Sequence, residues 1–187
     1  MIKRKGFLVL GFVCALLMLF QVSVGAAAPQ TGVWYRIEAR YSGKVLEVEN
    51  GSTADGANVQ QWTYNGGTHQ HWRIVDVGSG YYRIENRNSG KVLDVWEIST
   101  ADGANVVQWP YWGGEGQQWR LNDVGDGYYT IEARHSGKVL DVWNISTADG
   151  ANVVQWPYWG GHGQQWRFVA VGSTATSTPT PTPKPTP

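Results

Sequence analysis

Residues 89–95, which read SGKVLDV, decide the fold of this chain because the chain contains this stretch three times. The same letters return at 136–142, and residues 42–48 read SGKVLEV. Each copy continues into STADGAN and ends on a Gln-x-Trp motif, and equivalent residues are 47 positions apart without insertion or deletion. Self-similarity at a fixed period indicates a repeated supersecondary unit. Residues present three times therefore belong to the fold or to a site used up to three times.

The pattern inside each repeat predicts short strands joined by turns. In the second copy, residues 82–86 and 92–96 alternate between apolar and polar side chains, and 105–109 and 118–121 are predicted as further strands. Turn residues such as those of Asp102-Gly103 separate them. Four strands in each of three repeats fit a propeller poorly, because a propeller typically has four or more blades. We expect an all-β protein, a β-trefoil of three 47-residue repeats with about twelve short strands and no disulfides.

The repeats extend over about 35–81, 82–128 and 129–172, within a predicted domain of residues 30–172. Residues 1–28 begin with basic residues, which are followed by an apolar run too short to span a membrane comfortably. This combination is typical of a secretory signal peptide. A retained N-terminal anchor is the alternative. Export predicts a secreted, extracellular protein that does not insert into a membrane after signal removal.

The remaining composition narrows the function. Cys14, the single cysteine of the chain, lies in the apolar run, so the exported protein has none to form a disulfide. Residues 173–187 are rich in Pro and Thr, which predicts an extended linker or stalk. Lys and Arg together equal Asp and Glu together at 15 each. Since no stripe of Lys and Arg is present, we do not expect nucleic acid as a partner.

Tryptophan is the unusual component, with 11 residues of this type. Its large ring fills protein cores and also stacks on ligands. The tryptophan that closes each Gln-x-Trp motif is predicted to be core; these residues are Trp72, Trp119 and Trp166.

Three tandem repeats with S-G-K-x-L-D-V, each followed by Gln-x-Trp 23 to 25 residues after the acid, resemble the ricin B-type lectin family. The resemblance covers roughly residues 33–171 and implies a β-trefoil carbohydrate-binding module. It implies a site in each repeat, built from an acid, a tryptophan that stacks on the sugar and the Gln of Gln-x-Trp. The implied residues are Asp94, Trp109 and Gln117, then Asp141, Trp156 and Gln164, and in the first repeat Glu47, Trp62 and Gln70.

The chemistry of these residues agrees with sugar binding. A carboxylate accepts hydrogen bonds from two neighbouring hydroxyl groups, and an amide both donates and accepts. Gln60 adds a polar group to the first repeat, where the other two repeats have valine. Asn105 and Asn152 are further candidates for sugar contact, although satisfying a turn is an alternative role for both. The aspartates of the three STADGAN stretches are assigned to turn formation.

The chain also departs from the family pattern. Many members pair two cysteines within each lobe, and this chain has Val and Tyr at those positions, namely Val45/Tyr64, Val92/Tyr111 and Val139/Tyr158. We expect an apolar contact there and assign the tyrosines to packing in preference to sugar contact.

Two pairs of tryptophans have no aromatic counterpart in the first repeat: Trp96 with Trp143, and Trp112 with Trp159. They suggest a longer or more apolar sugar surface in repeats two and three, unless they only pack on neighbouring hairpins. We therefore expect repeats two and three to bind best. Glu97 occurs in one repeat alone and is interpreted as surface variation.

The sequence predicts a secreted lectin module that binds glycans or polysaccharides through up to three lobes, without a cofactor or a metal. Catalysis is not expected, because a glycosidase typically uses two nearby carboxylates and the acids here are separated by the repeat. Two alternatives stay open. The chain is the targeting module of a larger secreted glycoside hydrolase, with a catalytic domain beyond the Pro/Thr tail, or it is a protein-binding or inhibitory trefoil.

Overall fold

The computed structural model describes residues 28–172, which form twelve strands and six short 3-10 segments. Repeats one, two and three form lobes 1, 2 and 3, with strands β1–β4, β5–β8 and β9–β12. The strands are β1 (Trp34–Ala39), β2 (Val45–Val48), β3 (Val59–Trp62), β4 (Trp72–Gly78), β5 (Tyr81–Asn86), β6 (Val92–Val95), β7 (Val106–Trp109), β8 (Trp119–Gly125), β9 (Tyr128–Ala133), β10 (Val139–Val142), β11 (Ala151–Trp156) and β12 (Trp166–Ala170). The 3-10 segments are Glu49–Gly51, Thr68–Gln70, Trp96–Ile98, Glu115–Gln117, Trp143–Ile145 and His162–Gln164.

Six of the strands close into a barrel. Antiparallel pairing runs from β1 to β4, β5, β8, β9 and β12, and β12 pairs back with β1. The tyrosine that opens each repeat pairs with the tryptophan that closes it, as Tyr35 does with Trp72 and Tyr82 with Trp119. A closed barrel has no free sheet edge along these strands. The closed β-trefoil expected from the three repeats is confirmed.

The other six strands form three hairpins that cap one end of the barrel. They are β2–β3, β6–β7 and β10–β11, and their registers are equivalent. The acid of each repeat lies on the first strand of its hairpin, so that Asp94 pairs with Val107 and Asp141 with Val154. The sequence-derived strands of lobe 2 agree with β5 to β8 within two residues at the start of each strand.

The core lies where the barrel meets the hairpins. The side chains of Trp72, Trp119 and Trp166 are fully buried there, as expected from the sequence. Each indole N–H donates a hydrogen bond to the carbonyl oxygen of a leucine on the hairpin, at 2.9 to 3.1 Å; the leucines are Leu46, Leu93 and Leu140. Because the one polar atom of each ring has a partner, the large apolar surface is buried without an unsatisfied donor.

A buried glutamine joins each hairpin to the neighbouring lobe. The amide of Gln108 donates to the carbonyl oxygens of Ser52 and Ala54 in lobe 1, at 2.8 and 3.0 Å, and accepts from Ser89 Oγ at 2.6 Å. Gln61 and Gln155 make the equivalent bonds across the other two boundaries. An ion pair lies beside each glutamine; the pairs are Lys91–Asp55, Lys138–Asp102 and Lys44–Asp149. The turn aspartates therefore also hold the lobes together.

Arginines enclose three aromatic rings on the described part of the chain. Trp34, Tyr81 and Tyr128 are equivalent residues, and each has two guanidinium groups within 4.5 to 5.5 Å of its ring centroid. The arginines are Arg73 and Arg87 for Trp34, Arg120 and Arg134 for Tyr81, and Arg40 and Arg167 for Tyr128. Such contacts stabilise by about 0.5–1 kcal/mol each at exposed sites.

The predicted signal peptide and the Pro/Thr tail fall almost wholly outside the described residues. Within 28–172, no helix has the length and apolar character needed to cross a membrane.

Candidate functional site

A cavity of about 360 Å³ opens beside the hairpin of lobe 2. The Asp94 carboxyl, on β6 and only 5% exposed, lines it. Tryptophan rings form much of the remaining wall, which consists of Trp96, Glu97, Ile98, Val107, Trp109 and Trp112. The predicted acid and stacking tryptophan are thus brought together, and both additional tryptophans of this repeat join them.

Trp96 and Trp109 support each other. Their ring centroids are 5.6 Å apart and the planes meet at 74°, an edge-to-face contact. Both indoles rest on Gly56 of lobe 1, where an added Cβ would lie 2.9 Å from Trp96 Cζ3 and 3.3 Å from Trp109 Cζ3. Gly56 also has φ of 73°, so a side chain there is excluded by both space and backbone conformation. The wall of the lobe 2 cavity is therefore held from the preceding lobe.

The side chain of Gln117 faces the protein interior. Its side chain is fully buried and is not among the residues that line the cavity. The amide nitrogen donates to Asp94 Oδ2 at 2.7 Å and to the Pro110 carbonyl at 2.9 Å, and the amide oxygen accepts from Trp112 N at 2.9 Å. Because both N–H donors are used inside the protein, Gln117 orients the carboxylate and the Trp112 loop.

The same arrangement holds for Gln70 and Gln164, which donate to Glu47 and Asp141 and are fully buried. These contacts favour a positioning role for the three amides over direct contact with a sugar. Each of these Gln residues ends a 3-10 segment two residues before the strand that begins with a core tryptophan.

Burial changes the acidity of the two aspartates. Removal from water raises the pKa of Asp94 to about 6, while hydrogen bonds from Gln117 and Trp112 and the charge of His135 act in the opposite direction. The pKa of Asp141 is also raised, again by burial, against the hydrogen bonds from Gln164 and Trp159. Contacts within the protein thus compensate only part of the free-energy cost of burying the negative charge of each carboxylate.

Lobe 3 repeats this site in a smaller cavity of about 180 Å³. Trp143 and Trp156 meet edge to face at 5.5 Å and rest on Gly103, as their counterparts rest on Gly56. The Trp159 indole N–H lies 3.4 Å from Asp141 Oδ2. Asn144 takes the place that Glu97 has in lobe 2.

The cavity of lobe 1, about 210 Å³, is more polar. Glu47 is 3% exposed, and its two oxygens accept from Gln60 at 2.9 Å and Gln70 at 2.8 Å. His69 Nε2 lies 3.4 Å from the same carboxylate. Trp62, 39% exposed, lines this cavity without a second tryptophan. The lobe 1 carboxylate is therefore more engaged with the protein than those of lobes 2 and 3.

Asn105 and Asn152 lie outside the sites. The Asn105 amide donates to Asn58 Oδ1 at 3.0 Å, and the Asn152 amide donates to Asn105 Oδ1 at 2.8 Å. Equivalent residues of three lobes can touch in this way only near the pseudo-threefold axis. This geometry favours a structural role for Asn105 and Asn152 over sugar contact, because their amides join the three hairpins to one another.

The tyrosines at the family's cysteine positions are not among the residues that line the three cavities. Tyr64 and Tyr111 pack beneath Arg36 and Arg83, with 4.9 and 4.8 Å between guanidinium carbon and ring centroid. Tyr158 is 49% exposed.

The 3-10 segment after β6 was not foreseen as part of the site. Glu97 and Ile98 both have positive φ, 56° and 53°, and both line the lobe 2 cavity. A β-branched residue in this conformation is a true outlier. The sequence signal was indirect: lobe 1 has Asn50-Gly51 at these positions, two residues that tolerate positive φ.

Known proteins share the threefold β-trefoil architecture of this chain. Residues 19–109 and 115–178 match the model of a family described as ricin-type beta-trefoil lectin domain-like. The solved structure of ThreeFoil, a designed threefold symmetric protein, is 62% identical, with a TM-score of 0.73, over 74% of this chain and 99% of that chain. A search of curated protein sequences gives no match.

Two natural proteins extend the comparison. The exo-beta-1,3-galactanase 1,3Gal43A from Clostridium thermocellum is 44% identical, with a TM-score of 0.74, over 76% of this chain and 31% of the enzyme. The chain thus spans about a third of that protein. The Rhizoctonia solani agglutinin shares the fold at 23% identity and a TM-score of 0.70, over 78% of this chain and 100% of the agglutinin. Among residues 28–172, no cluster of three His, Cys, Asp or Glu side chains suits a metal ion.

Proposed function

The chain belongs to the ricin-type beta-trefoil lectin domain-like family, and from this premise we propose that it is a secreted module that binds glycans or polysaccharides. Lobes 2 and 3 are its principal sites, and lobe 1 is a weaker third. Binding through several lobes to one polymer raises the overall affinity without new contacts at any one site.

One observation carries this proposal: a buried, incompletely compensated carboxylate lies beside exposed indole rings in both lobe 2 and lobe 3. Asp94 or Asp141 accepts hydrogen bonds from adjacent sugar hydroxyls, and Trp109 or Trp156 covers the C–H face of the ring. Gln117 and Gln164 keep the carboxylates in place.

The proposed module binds and does not catalyse. A glycosidase typically places two carboxylates about 5 to 10 Å apart across one bond. Here each cavity wall supplies its own Asp or Glu from its own lobe, and the single additional carboxylate, Glu97, stands at a lobe 2 position that is Asn in lobes 1 and 3. Binding without turnover is therefore the activity we assign.

A second candidate, a targeting module of a larger secreted glycoside hydrolase, is favoured by the galactanase comparison. At 44% identity this chain corresponds to 31% of that enzyme. In this case the Pro/Thr-rich residues 173–187 would connect the module to a catalytic domain. The coding sequence beyond Pro187 distinguishes the two: an in-frame glycoside hydrolase domain supports the targeting module, and a stop codon supports a free-standing lectin.

The experiment is a glycan and polysaccharide array, with β-1,3-galactan included because of that comparison. The full chain is compared with Asp94→Asn/Asp141→Asn, a double change that preserves side-chain shape. We expect selective binding by the full chain and a loss of at least about tenfold in the double variant, since two charge-assisted acceptors are removed.

Circular dichroism of the double variant is the control for folding. Unchanged binding by the folded variant would show that the aspartates are not the sugar acceptors. A well-folded full chain that binds no plant, microbial or animal glycan would favour a protein-binding or inhibitory trefoil.

A further inference from the structure

The lobe 2 cavity carries more negative charge than a neutral sugar requires. Asp94 and Glu97 both line it, and no Lys, Arg or His does. Glu97 is exposed, and its side chain makes no ion pair or hydrogen bond with the described residues. The equivalent residue is Asn144 in lobe 3 and Asn50 in lobe 1. Lobe 2 therefore differs from its sister sites by one additional carboxylate.

The backbone conformation of Glu97 is unfavourable for glutamate. Its φ of 56° is the left-handed conformation that asparagine, present in the other two lobes, adopts more readily than glutamate. A residue held in an unfavourable conformation beside a cavity points to a role in that cavity.

The tryptophans of the lobe 2 cavity, like its two carboxylates, are suited to a positively charged ligand. Trp96, Trp109 and Trp112 line one volume of about 360 Å³ together with the two carboxylates. Indole faces attract cations through the negative charge of the ring face, and several rings around one cavity are the usual means of holding an organic ammonium group. A volume of this size falls in the range of small-ligand sites, roughly 300–1,000 Å³.

We propose that lobe 2 prefers a cationic carbohydrate, an amino sugar with a free protonated amine, and that Glu97 with Asp94 and the three tryptophans sets this preference. The ammonium group lies between the carboxylates and the indole faces, while the sugar hydroxyls bond to Asp94. The raised pKa of Asp94 agrees with this arrangement, because burial removes the carboxylate from water and a bound cation would compensate its negative charge. The inference rests on the proposed carbohydrate-binding function and names its ligand class.

The test compares two oligosaccharides that differ only at nitrogen: a β-1,4-linked glucosamine tetramer and its fully N-acetylated form. Tryptophan fluorescence titration at about pH 6.5, above the pKa of about 6 for Asp94, reports binding in an Asp141→Asn background that silences lobe 3. We expect tighter binding of the free amine, and Glu97→Asn to reduce its affinity about two- to fivefold. The preference should also weaken with added salt.

A reciprocal variant provides the matched control. Asn144→Glu, in an Asp94→Asn background, gives lobe 3 the lobe 2 charge and should increase its affinity for the free amine. Equal or stronger binding of the acetylated tetramer by lobe 2, or a preference that Glu97→Asn does not change, overturns the inference. If neutral glycans still bind in an Asp94-dependent manner, the proposed lectin function stands without it.

Discussion

Burial of the Asp94 carboxyl makes the proposed binding at lobe 2 dependent on pH. The same removal from water that presents this group to the cavity raises its pKa to about 6, from an ordinary value of 3.8. Between these two values the folded protein holds a proton that the unfolded chain releases. Protonation of Asp94 is therefore expected to stabilise the folded protein and to weaken ligand binding.

We expect the affinity of lobe 2 for a neutral sugar to fall as the pH decreases through about 6, since the protonated acid loses its charge-assisted hydrogen bonds. The stability contribution of Asp94 has the opposite sign. It is fully present below about pH 4 and is lost as the pH rises through about 6, a change on the order of 3 kcal/mol. Urea unfolding and sugar titration at several pH values measure the two effects.

The matched variant is Asp94→Asn, which should be at least as stable as the natural chain at pH 7 and should lack this part of the pH dependence. A large loss of stability in Asp94→Asn at pH 7 would contradict the assignment of burial as the dominant influence on the carboxyl.

Individual site residues were predictable from the sequence to different degrees. Asp94 and Trp109 were predicted because the three repeats resemble the ricin B-type lectin family, which implies an acid and a stacking tryptophan at these positions. The role of Gln117 was not, because an amide that faces a sugar and one that orients a carboxylate have the same sequence pattern. The contact of Asn105 with Asn152 spans 47 residues and depends on closure around an axis, which the local sequence does not encode.

The 3-10 segment Trp96–Ile98 is an element under backbone strain beside a site. Ile98 has φ of 53°, and its counterpart Ile145 in lobe 3 has φ of 52°, whereas lobe 1 has Gly51 at the same position. The side chain of Ile98 is 45% exposed and lines the cavity, so its burial offsets little of this strain. The wall it forms is consequently maintained at the expense of stability.

We expect Ile98→Gly to stabilise the protein by about 1 kcal/mol, because glycine adopts positive φ without the clash that a β-branched side chain experiences. Sugar affinity in lobe 2 should fall, since part of the apolar wall is removed. Thermal unfolding and titration with the best ligand from the array test both parts. Ile98→Ala is the control, because it removes most of the side chain while leaving much of the conformational strain. Greater stability in alanine than in glycine would refute the strain argument.

Strands and tight turns were the elements that the sequence predicted well. Alternation of apolar and polar residues, together with Asp-Gly turns, reflects local backbone preference and burial of one face. The 3-10 segments and the paired arginines around Trp34, Tyr81 and Tyr128 were not predicted. Those arginines come from strands and turns distant in sequence, so no local pattern connects them to the ring between them.

Interlocking at the lobe boundaries should make the whole molecule unfold as one unit. Gln108→Ala removes a fully buried amide and leaves carbonyl oxygens of lobe 1 and the hydroxyl of Ser89 without their partner. We expect a loss of about 3 kcal/mol in a single cooperative transition, with the urea m-value unchanged. Ser89→Ala removes the bond from Ser89 Oγ to Gln108 and the weaker bond that this hydroxyl accepts from the Lys91 N–H. It leaves the two bonds from Gln108 to lobe 1 in place and should cost about 1 kcal/mol.

Urea denaturation followed by both tryptophan fluorescence and circular dichroism makes this measurement. Two separate transitions in Gln108→Ala would mean that the lobes are independent units, contrary to the interlocking described above. The fold at this scale was predicted correctly because three equal repeats restrict the closed arrangements available to short strands.

Pairing of β12 with β1 brings together the two strands that begin and end the barrel, with Tyr35 beside Ala170 and the Val171 N–H bonded to the Trp34 carbonyl at 2.8 Å. The barrel strands consequently form a closed ring. Their pairing does not depend on which strand comes first in the sequence. A rearranged gene that starts at Tyr82 and joins lobe 3 directly to lobe 1 would encode the same circle of strands. Circular permutation and exchange of whole repeats are thus routes by which this architecture can vary its sites while keeping its core.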